Sequence, residues 1–443
     1  MIALILFIFL SALTIISFKI SNGSILAPAS AFCLSFALSV LNGLTNYNKW
    51  DFELHAITFS LIGGSAVIFC ISCFIFNLLY SKSNYKFSQN SINLKPFFIP
   101  NYIYIIFLVL QLVSTYLSLK SIKTLGTIHG SDGTLSGSIF AYRTASLYSS
   151  SFTGLPGYVT FLSNLCSALG YICIYNAMTF YFQNKKINFF ASISSFIAII
   201  APLVYGGRGA SLLFIFFIFT IFLVRYESYS RLHNSYRILP IFGFLALVFI
   251  IAYIFYISLS IMGRSSGSFD FYYYLSIYLG APIKNLDIYL SSGIIQPSFD
   301  CVETCSSDVY TSLNGISSAS QSFRFTEFQN YNGFDLGNAY TIFHSFIHDF
   351  GFLGCILLIV SMALISQYFY IKTSNIQSSP YNVIYLYIYS MIFYSLCISF
   401  FSNQFYKTLF STIVLKYILI WFCFGFAYRY FSFNKTRNLA YIF

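Results

Sequence analysis

The sequence predicts an all-α, polytopic integral membrane protein, and three observations carry that prediction. Only 8% of the 443 residues are charged while 58% are hydrophobic, against about 25% charged in an ordinary soluble domain. Mean hydropathy is +0.75. The apolar residues fall in long unbroken runs, each near the ~20 residues that cross a bilayer as a helix. A transmembrane barrel would show ~10-residue alternating segments instead. A soluble fold of this length has too few charges to cover itself, whereas in lipid an apolar exterior is the correct one.

Eleven spans can be read in order along the chain. Run 2–20 has the length of a secretory signal, but no basic segment precedes it and more spans follow, so it counts as a helix. Run 25–44 ends at the polar stretch 45–54. Run 55–79 is closed by Lys82, Lys86 and Lys95. Run 101–119 leads into a long polar loop, 120–154. Runs 155–182 and 188–206 are split by Lys185 and Lys186, and only a glycine-rich turn around Arg208 separates 188–206 from 210–225. Arg225, Arg231 and Arg237 lead into 238–262. After a second long polar loop, 263–349, come 350–371, 383–402 and 409–428, with Lys372 and a basic tail as breaks. No internal repeat or second soluble domain is found, so residues 1–443 read as one membrane domain.

Charge sets the orientation. The net charge of +11 is spread over many short loops, which is how topology signals look, and nothing in the chain resembles a nucleic-acid groove. Lys19, the Lys82–Lys95 group, Lys185, Lys186, Arg225, Arg231, Arg237, Lys372 and the tail residues Arg429, Lys435 and Arg437 fall on alternate loops. The positive-inside rule makes that set cytoplasmic. The N-terminus and segments 45–54, 120–154, 206–210, 263–349 and 403–408 then face outward. Of the 12 acids, only Glu227 falls on the cytoplasmic side. Polarity is therefore concentrated in two large outward loops, and long loops of mixed chemistry more often carry function than merely connect.

The outward loops collect cations beside aromatic and hydroxyl residues. Loop 120–154 holds Arg143 within "AYRTASLYSSSFTGLPGY"; loop 263–349 holds Arg264, Lys284, Arg324, Asp335, His344, His348 and Asp349. Guanidinium groups match phosphate oxygens in a bidentate fork and stay charged, so the set suits a phosphorylated sugar on a lipid. The stretch "YGGRGASLLF" predicts a tight outward hairpin, its glycines taking positive φ where needed. Arg208 there either meets an anion, helped by the dipole of the following helix, or snorkels to the interface. His344 and His348, four apart, share a face if helical. With Asp349 they form either an acid–base group or the headgroup layer of an amphipathic segment. They lack the Glu of the zinc-protease signature, and the reading calls for no metal and no cofactor. Lys416, inside the last run, either faces a partner or snorkels. Cys301 and Cys305 are either a small disulfide in an oxidising compartment or two free thiols. The other cysteines mostly sit in apolar runs as small hydrophobes.

Two stretches, "GGRGASLLF" and "LGNAYTIFHSFIHDFGFLG", resemble the Wzy-type oligosaccharide repeat-unit polymerases of bacterial surface polysaccharide synthesis. The glycine-rich arginine turn opening a span is one shared feature. The run Asn338, Tyr340, Thr341, Asp349, Phe350, Gly351 and Gly354 closing the large outward loop is the other. The resemblance implies a polymerase/ligase architecture of the GT-C-like kind, with about a dozen spans and two large periplasmic loops, in the bacterial inner membrane. It implies glycosyl transfer at the periplasmic face between two undecaprenyl-diphosphate-linked oligosaccharides, one donor and one acceptor, alongside a chain-length regulator and a flippase. Arg143, Arg208, Arg264, Lys284, Arg324, Asn338 and Tyr340 are then expected to bind substrate, and His344, His348 or Asp349 to assist the acceptor hydroxyl. Some members carry an arginine, ten residues and a glycine in each large loop; Arg143 and Gly154 keep that spacing, and Arg324 does not. The rival expectations are an O-antigen ligase, with the same donor and a different acceptor, and a lipid-linked oligosaccharide flippase, which would place charges inside the spans.

Overall fold

A computed structural model describes residues 1–83, 94–149, 152–233, 271–293, 296–314, 327–374 and 379–440, with positions 243, 246, 253 and 376. The first half comprises helices α1 (Ile2–Ile20), α2 (Pro28–Thr45), α3 (Tyr47–Trp50), α4 (Ala56–Ser83), α5 (Asn101–Ile128), α6 (Leu135–Tyr148), α7 (Gly157–Asn184), α8 (Phe189–Ile200) and α9 (Gly209–His233). A 3₁₀ turn, Ala201–Tyr205, joins α8 to the bend before α9. Then come α10 (Phe271–Leu279), α11 (Ala281–Ser291) and α12 (Ser307–Asn314). A hairpin of β1 (Gln329–Tyr331) and β2 (Phe334–Gly337) follows, with Tyr331 opposite Phe334. The chain continues as α13 (Ile342–Ser374), α14 (Pro380–Cys397), α15 (Phe405–Leu409) and α16 (Thr412–Ala440).

Among the described residues, eight helices are long and apolar enough to cross a membrane: α1, α2, α4, α5, α7, α9, α13 and α16. The chain is thus an all-helical, multi-pass membrane protein. Its outer surface fits lipid: Leu4, Ile5 and Ile8 of α1, Ile105 and Val109 of α5, and Leu419 and Phe426 of α16 are all exposed. The other three expected spans differ from the sequence reading. Run 188–206 splits into α8 and the 3₁₀ turn, because Pro202 stands at the start of that turn. Run 383–402 becomes α14, which is not among the lipid-crossing candidates. It is walled by α2, α9, α13 and α16, with Leu386, Tyr387, Tyr389, Met391 and Phe393 buried. A helix apolar on every side belongs in a core, and Tyr387 packs on Trp421 at 4.6 Å and Phe217 at 5.3 Å. Run 238–262 lies almost wholly outside the described residues. The expected loops are also more ordered than expected, since α6 occupies the first and α10, α11, α12 and the hairpin occupy the second.

The segments expected to face outward meet at one end of the bundle. Lys284 Nζ donates to the Asp51 carbonyl at 2.6 Å. Arg208 donates to the Tyr274 hydroxyl at 2.6 Å. Asn403 donates its amide to the Thr304 carbonyl at 3.1 Å, and Lys407 stands 3.6 Å from Glu303. At the other end, Ser24 donates to Glu227 at 2.6 Å and Lys372 lies 5.8 Å over the Tyr80 ring. Contacts as well as charge therefore divide the loops into two sets. Lys416 is exposed on α16, within two turns of its first residue, where a long side chain reaches the interface.

Helix α13 is broken at Gly351, where φ is 67° and ψ is −172°. That region is essentially glycine-only, and a Cβ there would also stand 3.1 Å from Pro297 Cγ. The break separates the first turns, which carry His344, His348 and Asp349, from the long apolar remainder. Gly351→Ala is expected to lower stability by about 1–3 kcal/mol, read as a lower melting temperature of the purified protein; an unchanged melt would show that the break is not required.

Candidate functional site

A cavity of about 820 Å³ opens among α5, α6, α7, α9, α14, α15 and α16, within the ~300–1,000 Å³ range of ligand sites. Its walls are rich in hydroxyl and amide groups, including Ser114, Ser118, Ser163, Asn164, Ser167 and Ser411. Four charged side chains line it: Arg143, Glu303, Asp308 and Lys407. Both signs of charge thus share a space bounded by membrane helices and by segments 302–308 and 404–408. Part of the polar wall is internally braced, since the Tyr205 hydroxyl donates to Ser163 at 2.8 Å and lies 2.6 Å from Ser118 Oγ.

Arg143 reaches the cavity from α6, whose start is capped by the Thr134 side chain accepting from Gly137 N–H at 3.0 Å. The turn before α9 packs on it. Gly206 has φ 67°, and a Cβ at that position would stand 3.0 Å from Arg143 Cβ, so a larger residue is opposed by both backbone and neighbour. The expected hairpin is present, with Arg208 giving its carbonyl to Leu212 N–H at 3.0 Å as α9 begins. Arg208 as a whole is 8% exposed and its guanidinium is bonded to Tyr274, so the residue is buried rather than spread at the surface. Burial pushes the Tyr274 phenol well up; the nearby Tyr278 adds to this and the Arg208 charge opposes it.

The floor of the 298–305 loop is Asp349. This carboxylate is fully buried. It accepts from Thr304 N–H at 2.6 Å and Glu303 N–H at 3.0 Å, and stands 2.9 Å from His348 Nδ1. The loop is tied again by Ser298 N–H to the His348 carbonyl at 2.9 Å and Phe299 N–H to the Asp349 carbonyl at 2.8 Å. Cys301 and Cys305 form a disulfide, which resolves the alternative left by the sequence. Glu303, between them, has a side chain 12% exposed. Asp308 accepts from the Thr412 N–H at 2.7 Å and its hydroxyl at 2.5 Å. Burial raises the Asp308 carboxyl, but hydrogen bonds from Ser306 and Thr412 outweigh it and leave the group below its usual range.

The remaining expected residues lie elsewhere. His344 is held between Tyr289 and Tyr340, with ring centroids at 4.5 and 4.7 Å, and neither it nor His348 lines the cavity. Tyr340 accepts from Gln329 at 2.9 Å and donates to the Glu327 carbonyl at 3.2 Å, pinning the hairpin. Asn338 directly follows the hairpin. Lys284 is buried, 4.6 Å over the Tyr331 ring. Burial pulls its ammonium below the ordinary range, against the opposing charges of Asp287, Asp51 and Glu53. Arg264 and Arg324 fall outside the described residues. Among the described residues no cluster of His, Cys, Asp and Glu has the makings of a metal site.

The sequence reading passed over Glu303, Asp308, Asn403 and Lys407. A signal existed for two of them. Glu303 stands inside "CVETC", read for its cysteines and otherwise counted only among the outward acids, and Lys407 is a basic residue on a short outward segment, the same oddity that drew attention to Arg208. Fold and site together define a multi-pass helical membrane protein with a polar, two-signed cavity toward one end. Comparison of the chain with family models, with curated proteins and with solved structures finds no match.

Proposed function

We propose that this chain is a lipid-linked repeat-unit polymerase. It joins oligosaccharides carried on undecaprenyl diphosphate by glycosyl transfer, at the periplasmic face of a bacterial inner membrane. The observation that carries the reading is the cavity, where Arg143 and Lys407 face Glu303 and Asp308 among hydroxyl and amide groups. Such walls suit sugar hydroxyls, and the cations suit a diphosphate. The position among membrane helices suits a substrate whose tail stays in lipid. The two polymerase-like stretches support the same reading, since one supplies the turn packed on Arg143 and the other supplies Asp349 beneath the cavity loop.

In this reading the acceptor hydroxyl attacks the anomeric carbon of the donor and lipid diphosphate departs. Charge building on the leaving group is stabilised by fixed cations at the cavity wall, with Arg143 nearest to the task and Arg208 holding the neighbouring turn. The test is deletion of the coding sequence in the native host, with the surface polysaccharide separated on a gel. The expected result is collapse of the ladder to one repeat unit. Complete loss of added units would instead indicate a ligase, and an unchanged ladder would end the proposal.

A further inference from the structure

The proposed transfer requires a group that takes the proton of the acceptor hydroxyl, and the geometry points to Glu303. The assignment rests on the polymerase reading. It sets aside the groups that the sequence favoured. Asp349 is fully buried and its oxygens are engaged by Thr304 N–H, Glu303 N–H and His348. His348 has its Nδ1 against that carboxylate, His344 is enclosed by two tyrosine rings, and neither imidazole lines the cavity. Asp308 does line it, but one of its oxygens takes both donors of Thr412 at the start of α16.

Glu303 differs in how it is held. Its N–H is fixed by Asp349, the next carbonyl by Asn403, and the loop around it by the Cys301–Cys305 bond. Its carboxylate makes an ion pair with Lys407 at 3.6 Å and faces the cavity opposite hydroxyl-bearing walls. A loop restrained in its backbone so that one carboxylate projects into a polar cavity is the arrangement that positions a reacting group. In the step, the Glu303 carboxylate accepts the acceptor's hydroxyl proton. The oxygen's electron pair forms the new bond to the anomeric carbon. The bond from that carbon to the diphosphate oxygen breaks, and its electron pair leaves with the lipid diphosphate. Asp349, His348 and Lys407 are positioning residues for this step.

The test uses the full chain in lipid nanodiscs with lipid-linked repeat units extracted from a host deleted for this chain. Glu303→Gln keeps the backbone contacts and removes the base. Its kcat is expected to fall by about 10²–10⁴ with KM little changed, and the acidic limb of its kcat/KM pH profile is expected to vanish. Glu303→Asp keeps the charge and is expected to retain that limb at reduced turnover; it carries the test if Glu303→Gln does not fold. Wild-type turnover in Glu303→Gln, an acidic limb that persists in Glu303→Gln, or wild-type turnover in Glu303→Asp overturns the assignment while leaving the polymerase reading intact. A wild-type chain that extends no repeat units at all overturns both.

Discussion

Replacing Asp349 with alanine is expected to free the 298–305 loop and destabilise the protein by at least about 2 kcal/mol. The carboxylate accepts from two backbone N–H groups and one imidazole in a fully buried position. Each donor stranded without water costs about 1–3 kcal/mol, and two are backbone groups that cannot turn away. Asp349→Asn repairs this only in part, since an amide brings one acceptor oxygen and a competing pair of donors. Two measurements check the expectation. The melting temperature should fall, and a membrane-impermeant reductant should open the Cys301–Cys305 bond faster in the variant. Wild-type values for both would mean that the loop is held by its other ties alone.

The second large effect is expected at Arg143. Under the proposed polymerase reading, Arg143→Ala should cut turnover of lipid-linked repeat units by about 10²–10³, the usual cost of removing one preorganised charge-stabilising donor. Stability should change little, because the side chain is only half-buried. Arg143→Lys should recover part of the loss, since a point charge replaces a planar fork. Arg208→Ala is the informative companion. Its guanidinium is buried and bonded to Tyr274, so its removal should lower the melting temperature as well as the rate. Full-length polysaccharide ladders in cells carrying Arg143→Ala would remove that residue from the mechanism.

The spans were legible because lipid imposes a simple rule on composition, and α1, α4 and α5 follow it residue after residue. The rule fails where a helix is packed mostly against protein. Helix α14 has tyrosines at 381, 385, 387, 389 and 394, and its neighbours rather than the bilayer decide its place. It fails again at α8, where Pro202 converts an apolar run into two short pieces. Within the candidate site, the arginine turn was legible because three glycines around one cation are rare inside a hydrophobic chain. Glu303 was legible only as an acid between two cysteines, because its place depends on partners 46 and 104 residues away, Asp349 and Lys407. Short-range spacing carries no trace of such pairings. The histidines drew attention by their spacing of four, and that spacing marks a helix face without saying what the face meets.

The enclosure of α14 has a consequence for biogenesis. A tyrosine-rich segment gains little from the hydrocarbon alone, so during translation it has no settled berth until α2, α9 and α13, already made, gather around it. Its wall is finished only when α16 emerges from the ribosome and Trp421 closes over Tyr387. Assembly of this protein is therefore expected to finish late, with quality-control proteases meeting a loosely gathered bundle until the last long helix has been threaded into the bilayer.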